Sequence, residues 1–356
     1  MRLLVVNFEM DRRSPTMAWS QQIVDRLAAS CESVTVLTQR LGHYDPPPNV
    51  HVAVMPFARL MALPFGTAVL DRLVNRQAHR LAIRHRADAC FVHMAIHWAH
   101  ALAPTFRRLG LPVLVWYAHG SVGPELHRAH EAAARIVTST KEGCRLVSDK
   151  IRVIGQGVDC DLFDLRPLAA ERNDVLAVGR LSPRKRVDRL LDVMAALRDL
   201  RGGSAIQLRV VGAALTREDR RYETALRRRL RREGLENRVE LLGFVPQAGI
   251  PALYRRAFLH LNLSRTGSMD KTVVEALAGG CPVLTSNDAF ADLLAAYPEY
   301  RVQDDRPRAI AQRIVEIHAA RDRVDRAALR ALVVGRHDVH SYVRKVLANL
   351  DEIRAR

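Results

Sequence analysis

Short runs of β-branched and aliphatic residues alternate along this chain with longer segments of helical period. In the first half the apolar runs are LLVVNF (3–8), VTVLTQ (34–39), HVAVMP (51–56), ACFVHM (89–94), PVLVWYAH (112–119), ARIVTS (134–139) and IRVIG (151–155). Helices are predicted between them near 18–30, 66–86, 98–108, 124–133 and 141–148. The second half restarts the pattern with DVLAVGR (174–180), IQLRVVG (206–212), VELLGF (239–244), LHLNLS (259–264) and CPVLTS (281–286). Strands that alternate with helices of about ten or more residues imply crossover connections and parallel sheets, so the expected class is α/β.

A polar, Pro-containing segment, FDLRPLAAERND (163–174), separates the two series. The predicted organisation is therefore a first Rossmann-like domain over 1–165 and a second over 166–337. A final helix over 338–356 is expected to pack back towards the first domain. Ligands of open parallel sheets sit beyond the carboxyl ends of the strands, which predicts a site in a cleft between the domains.

At 356 residues and 48% hydrophobic, the chain has the length for two domains and the composition of a globular protein. No apolar run approaches the ~20 residues that cross a bilayer. The apolar stretch of MRLLVVNFEMDRR is too short for a signal-peptide core and reads as a buried strand, which predicts a cytoplasmic protein. The five cysteines, Cys31, Cys90, Cys144, Cys160 and Cys281, form no CxxC pair and read as reduced packing residues.

The net charge of +17 divides as +6 over residues 1–170 and +11 over 171–356. Fifty of the 55 cations are Arg, a diffuse excess that arises either from composition bias or from an anionic partner. One stretch is ordered. In DRLVNRQAHRLAIRHR (71–86), Arg72, Arg76, Arg80 and Arg84 recur every four residues, opposite an apolar face of Leu70, Leu73, Val74, Ala78 and Leu81. Such a helix suits a solvated surface or an anionic lipid surface equally.

Three segments offer chemistry. In VGRLSPRKRVDRLLDVMAAL (178–197), Gly179 and Arg180 end a strand and Lys185 lies where a helix begins. Backbone N–H groups and the helix dipole favour an anion there, and two cations would clamp a phosphate or diphosphate. In LSRTGSMDKTVVEALAGGCPVLTS (263–286), Ser268 or Asp270 is expected to cap a helix whose first turn, with Lys271 and Thr272, again faces an anion. Glu275, one turn on, is placed to accept hydrogen bonds from sugar or ribose hydroxyls, and is otherwise a surface Glu. In VLVWYAHGSVGPELHRAHE (113–131), His119 closes a strand where side chains face a ligand.

Other patterns carry less. His93 and His97 are four apart, but with no acidic residue beside them they make no zinc motif. Asp159-Cys160-Asp161 spells DxD, a pattern frequent by chance, and no metal site is expected. Neither GxGxxG after the first strand nor a Walker motif is present.

Taken together, these residues resemble glycosyltransferase family 4. VGRLSPRKRVDRLL is similar to its "GRLxxxK" donor segment, and IRVIGQGVDCDLF (151–163) to the "V-I-x-N-G-V-D-x-x-x-F" segment, with Gln156 in place of Asn. VELLGFVP (239–246) resembles its nucleotide-base loop, EALAGGCPVLTS its "EAMAxGxPVxxS", and residues 10–38 its first loop and helix. The resemblance implies a GT-B fold of two Rossmann-like domains facing across a cleft. It implies a nucleotide-sugar donor, a UDP- or GDP-sugar, bound by the second domain, and transfer with retention and without a metal or other cofactor.

Carried over by position, Arg180 and Lys185 would neutralise the donor diphosphate and Glu275 would hold the ribose. Gly179 would lie in the same segment, Gly243 and Phe244 would lie beside the base, and His119 near the transferred sugar. The first Glu of the family's Glu-x7-Glu motif would fall at 267, where Gly267 stands, and the TGSxDK turn resembles that of a family subset. Backbone N–H groups of Ser268 and Met269, or the side chains of Asp270 and Lys271, would then hold the sugar.

The function expected is a retaining glycosyltransferase acting on a lipid-linked or polysaccharide acceptor in envelope or surface glycan synthesis, peripheral on the inner face of the cytoplasmic membrane. An epimerase or a non-catalytic nucleotide-sugar binder of the same fold is the alternative. Nucleic acid is not an expected partner, because 5% aromatic residues offer no stacking platform.

Overall fold

The computed structural model describes residues 1–56, 66–165, 173–264 and 267–355. The chain divides into two compact units, Met1–Gly157 with Val339–Arg356, and Val158–Asp338. The polar segment expected to separate the domains is only partly within the described residues, and its start belongs to the second unit. Phe163 and Leu165 are buried in that unit's core, so the chain crosses at Gly157/Val158 rather than after 165.

The first unit carries seven parallel strands: β1 (Arg2–Met10), β2 (Ser33–Leu41), β3 (Val50–Val54), β4 (Ala89–His93), β5 (Val113–Trp116), β6 (Arg135–Thr138) and β7 (Ile151–Val153). Their order is β3-β2-β1-β4-β5-β6-β7. Leu4 and Val6 face one helical layer while Leu3 and Val5 face the other, the alternation of a strand covered on both sides. One layer holds α1 (Ser20–Ala28) and the last helix, Val339–Arg354, whose Tyr342, Val343, Val346 and Leu350 are buried against this sheet. Buried Arg135 fixes that helix, donating to Asn349 Oδ1 at 2.8 Å and pairing with Glu352.

The opposite layer holds α2 (Gly66–Arg84), α3 (Ile96–Ala101), α4 (Ala103–Leu109) and α5 (Pro124–Ala132). Two predicted helices are changed. The one expected over 98–108 is broken at Leu102, because Pro104 lacks the N–H that would continue the ladder. The one expected over 141–148 is a turn followed by irregular chain. There the Gly143 N–H goes to the Thr140 carbonyl and hydroxyl, a local alternative to a helix.

The second unit is a five-stranded parallel sheet: β8 (Asp174–Val178), β9 (Gln207–Val211), β10 (Val239–Gly243), β11 (Ala257–Asn262) and β12 (Val283–Thr285), in the order β10-β9-β8-β11-β12. Its helices are α6 (Val187–Ala196), α7 (Arg217–Glu233), α8 (Ile250–Arg256), α9 (Lys271–Ala278), α10 (Pro307–Ala320) and α11 (Arg326–Ala331). The final helix, Val339–Arg354, is α12. β11 is buried along its whole length, as a central strand with both faces covered must be.

Candidate functional site

Strand order in the second sheet reverses between β8 and β11, and the loops that leave their carboxyl ends diverge there. This is the switch point at which an open α/β sheet leaves a crevice for ligands. The loop after β8 carries Gly179, Arg180 and a turn over Pro183–Lys185; the chain after β11 leads through Ser264 to Gly267–Asp270 and α9.

One ion pair spans the two loops. Lys185 Nζ lies 2.6 Å from Asp270 Oδ1. The other carboxylate oxygen of Asp270 accepts from Asn262 Nδ2 at 2.9 Å and Ser264 Oγ at 2.5 Å. Burial raises the Asp270 pKa, but the Lys185 charge and these donors outweigh it and hold the group below the ordinary carboxylate range. The expected capping of α9 is corrected by this arrangement. Asp270 stands at the N-cap position with extended backbone, yet its side chain makes no cap hydrogen bond among the described residues. The carboxylate is committed to Lys185, Asn262 and Ser264 instead.

Arg180 is held in a similar way. Its Nε donates to Asp219 Oδ2 at 2.8 Å, and Asp219 belongs to the capping box of α7, with Thr216 as N-cap. Both cations expected to clamp an anion are thus preset by carboxylates. Arg180 stays partly exposed, with 42% of its side chain accessible. Beside it the strand ends are packed tightly: Gly212 N–H donates to Gly243 O at 2.8 Å, and a Cβ at Gly212 would lie 1.8 Å from Gly179 O. Gly243 has φ 71° and open space where a side chain would project, next to Phe244, which is exposed.

Within α9, Lys271 and Glu275 stand four apart. Burial pushes the Glu275 carboxyl up to about 7, with the Lys271 charge opposing. Burial likewise pushes the Lys271 ammonium down to about 7, with Glu275 opposing. Glu275 is therefore a buried group rather than a surface helical Glu. Gly267 has φ 64°, a left-handed turn that suits glycine; the Ser268 carbonyl accepts from Asn287 Nδ2, and Met269 is buried. Thr272 Oγ1 is buried with no hydrogen-bond partner among the described residues.

The remaining candidates lie in the first unit. His119 is exposed after β5, its ring 6.0 Å from Tyr117. Arg72, Arg76, Arg80 and Arg84 are all exposed along α2, while Leu70, Val74, Ala78 and Ala82 are buried. Leu73, expected on the apolar face, is instead exposed among the arginines, as are Val69 and Ile83. His93 is buried among Trp19, Phe91, Trp116 and Tyr342, apart from the exposed His97. In the second unit, Asp159 of the DxD string accepts from the Leu162 N–H, a turn contact.

Asn262, Ser264 and Asp219 were not singled out from the sequence. Thr216-x-x-Asp219 carries a capping-box pattern and could have been found. Asn262 and Ser264 stand at the end of an apolar strand and have no comparable local signal.

Residues 172–320, most of the second unit, match the family model described as Glycosyl transferases group 1. The mannosylfructose-phosphate synthase of Agrobacterium fabrum is 31% identical over 112 residues, covering 32% of this chain and 25% of that protein. A putative colanic acid biosynthesis glycosyltransferase of Escherichia coli, WcaL, is 29% identical over 184 residues, covering 49% of this chain and 43% of its own. The chain thus spans less than half the length of these curated relatives. Among solved structures, Anabaena HepE in complex with UDP-glucose superposes with a TM-score of 0.76 at 18% identity, covering 99% of this chain and all of that one. A glycosyltransferase of Rickettsia africae gives 0.77 at 14% identity, with 99% and 98% covered. Both units therefore have the Rossmann-like, parallel-sheet architecture of GT-B proteins.

Proposed function

We propose that this protein is a retaining glycosyltransferase that moves a sugar from a nucleotide-sugar donor, a UDP- or GDP-sugar, to a lipid-linked or polysaccharide acceptor of surface glycan synthesis. The observation that carries the reading is the family match over 172–320, because that span contains every residue assigned here to the donor except His119. The UDP-glucose held by HepE and the colanic acid role in the name of WcaL support the donor class and the acceptor class respectively.

In this reading the donor diphosphate lies over the carboxyl ends of β8 and β11, between Arg180 and Lys185. Negative charge develops on the diphosphate as the glycosidic bond to the donor breaks. Cations already oriented by Asp219 and Asp270 stabilise that charge without reorganising. Asp270 acts as a positioning residue, since its oxygens are occupied. The Ser268–Met269 turn and the Thr272 hydroxyl face the sugar and phosphates in this reading, the hydroxyl being buried with no hydrogen-bond partner among the described residues. Glu275 accepts the ribose hydroxyls, and Gly243 leaves room for the base beside Phe244. His119 of the first unit serves the transferred sugar. The exposed stripe of α2 rests on anionic lipid, which brings the enzyme to its acceptor.

Thermal unfolding of the purified chain with UDP, GDP, ADP and their sugars tests the donor site. Stabilisation by one nucleotide supports the reading and selects the base, whereas no shift with any of them counts against it.

A further inference from the structure

At the carboxyl edge of the first sheet, three helices bring together side chains that the transferase reading does not use. His97 and His100 lie on α3, which follows β4, and Glu125 lies in the first turn of α5, after β5. One ligand atom from each of these three residues falls within 4.8 Å of the others. Asp71 of α2 adds a second carboxylate, with Oδ1 3.5 Å from His97 Nε2. The two imidazole rings meet edge to face at 4.9 Å, and His100 Nε2 is buried with no hydrogen-bond partner among the described residues.

From this convergence we propose that His97, His100 and Glu125 form a binding site for a divalent late transition metal of the zinc type. Two imidazoles and one carboxylate are a zinc ligand set that leaves a fourth position for water. Two neutral imidazoles with two carboxylates carry a charge of −2, which a dication balances. Hard ions such as magnesium and calcium prefer all-oxygen shells, so imidazole donors select against them. Asp71 on one ring nitrogen of His97 leaves the other for the metal, the outer carboxylate contact by which ligating histidines are commonly oriented.

Burial, first of all, and the neighbouring His97 and Arg128 hold the His100 pKa below its ordinary value, against Glu125 and Asp71. Tetrahedral zinc with bonds of about 2.0–2.1 Å needs its ligand atoms roughly 3.3 Å apart, so the set must contract on binding. The side chains of His97 and Asp71 are 47% and 39% exposed, so solvent rather than core packing borders the space into which they would move. The bound metal would tie α3 to α5, and α5 directly follows the loop that carries His119. It would set the position of that loop without joining the transfer chemistry.

The test uses the full chain, stripped with chelator and dialysed, then titrated calorimetrically with zinc chloride. The expected result is one equivalent bound, with His97→Gln and Glu125→Gln each weakening affinity by about 10–100-fold or more. Both positions are exposed, so the variants keep the fold, which circular dichroism checks. Cobalt(II) in place of zinc should show d–d bands without the sulfur charge-transfer band that the five buried cysteines would give. Absence of saturable binding, or wild-type affinity in both variants, overturns the proposal.

Discussion

Lys185 and Asp270 meet at 2.6 Å across the place where β8 and β11 part, although 85 residues separate them in the chain. The pair joins the two loops of the switch point, and Asn262 and Ser264 complete the shell of Asp270. A cation that was to face an anion is thus already oriented by a carboxylate that is 10% exposed.

If Lys185 meets the donor diphosphate, Lys185→Ala should lower calorimetric affinity for the preferred nucleoside diphosphate by about 1.5–3 kcal/mol, the range for hydrogen bonds to charged groups. Asp270→Asn keeps the cation but loosens its hold, and should cost less affinity than Lys185→Ala. Unchanged binding in Lys185→Ala would remove the residue from the site.

Gly212→Ala should destabilise the second unit. Its φ of 150° suits glycine, and the added Cβ would strike the Gly179 carbonyl. Backbone strain of this kind is worth about 1–3 kcal/mol. Urea unfolding measures it, and an unaltered midpoint would show that the strand ends part without cost.

Sequence pattern alone located all twelve strands among the described residues, because fully buried parallel strands read as continuous apolar runs that stand out from their flanks. It failed where a side chain competed with the helix, at Thr140–Gly143, and where Pro104 broke a periodic segment. Arg180, Lys185, Asp270 and Glu275 could be marked by position at strand and helix ends. Their partners could not. Asp219 is 39 residues from Arg180, and no local rule pairs them. The reading of Asp270 as a cap was physically sound for a helix in isolation, but tertiary contact with Lys185 took the carboxylate.

The exposed face of α2 mixes Arg72, Arg76, Arg80 and Arg84 with Val69, Leu73 and Ile83, a composition suited to a lipid surface. Each arginine near an anionic surface contributes about 1 kcal/mol. The fourfold Arg→Gln variant should lose sedimentation with phosphatidylserine vesicles at low salt, while wild type is released as salt rises. Equal sedimentation of the two proteins would return the stripe to a solvated face.

The Lys271–Glu275 pair predicts a pH signature in the unliganded protein. Glu275 titrates near 7 when folded against an ordinary 4.5, so the folded state holds the proton more tightly. Its contribution to stability is full below pH 4.5 and is lost as pH rises towards 7. Lys271 is depressed from 10.5 to about 7, so the unfolded state binds more protons between those values, and stability recovers as pH rises through them. Glu275→Gln should therefore gain stability relative to wild type between pH 4.5 and 7, read from urea unfolding at both ends. Lys271→Met should flatten the rise above 7. A nucleotide whose ribose binds the Glu275 carboxylate favours the charged form, and should shift its apparent pKa downward and reduce the wild-type slope. A slope unaffected by saturating nucleotide would separate Glu275 from the ribose.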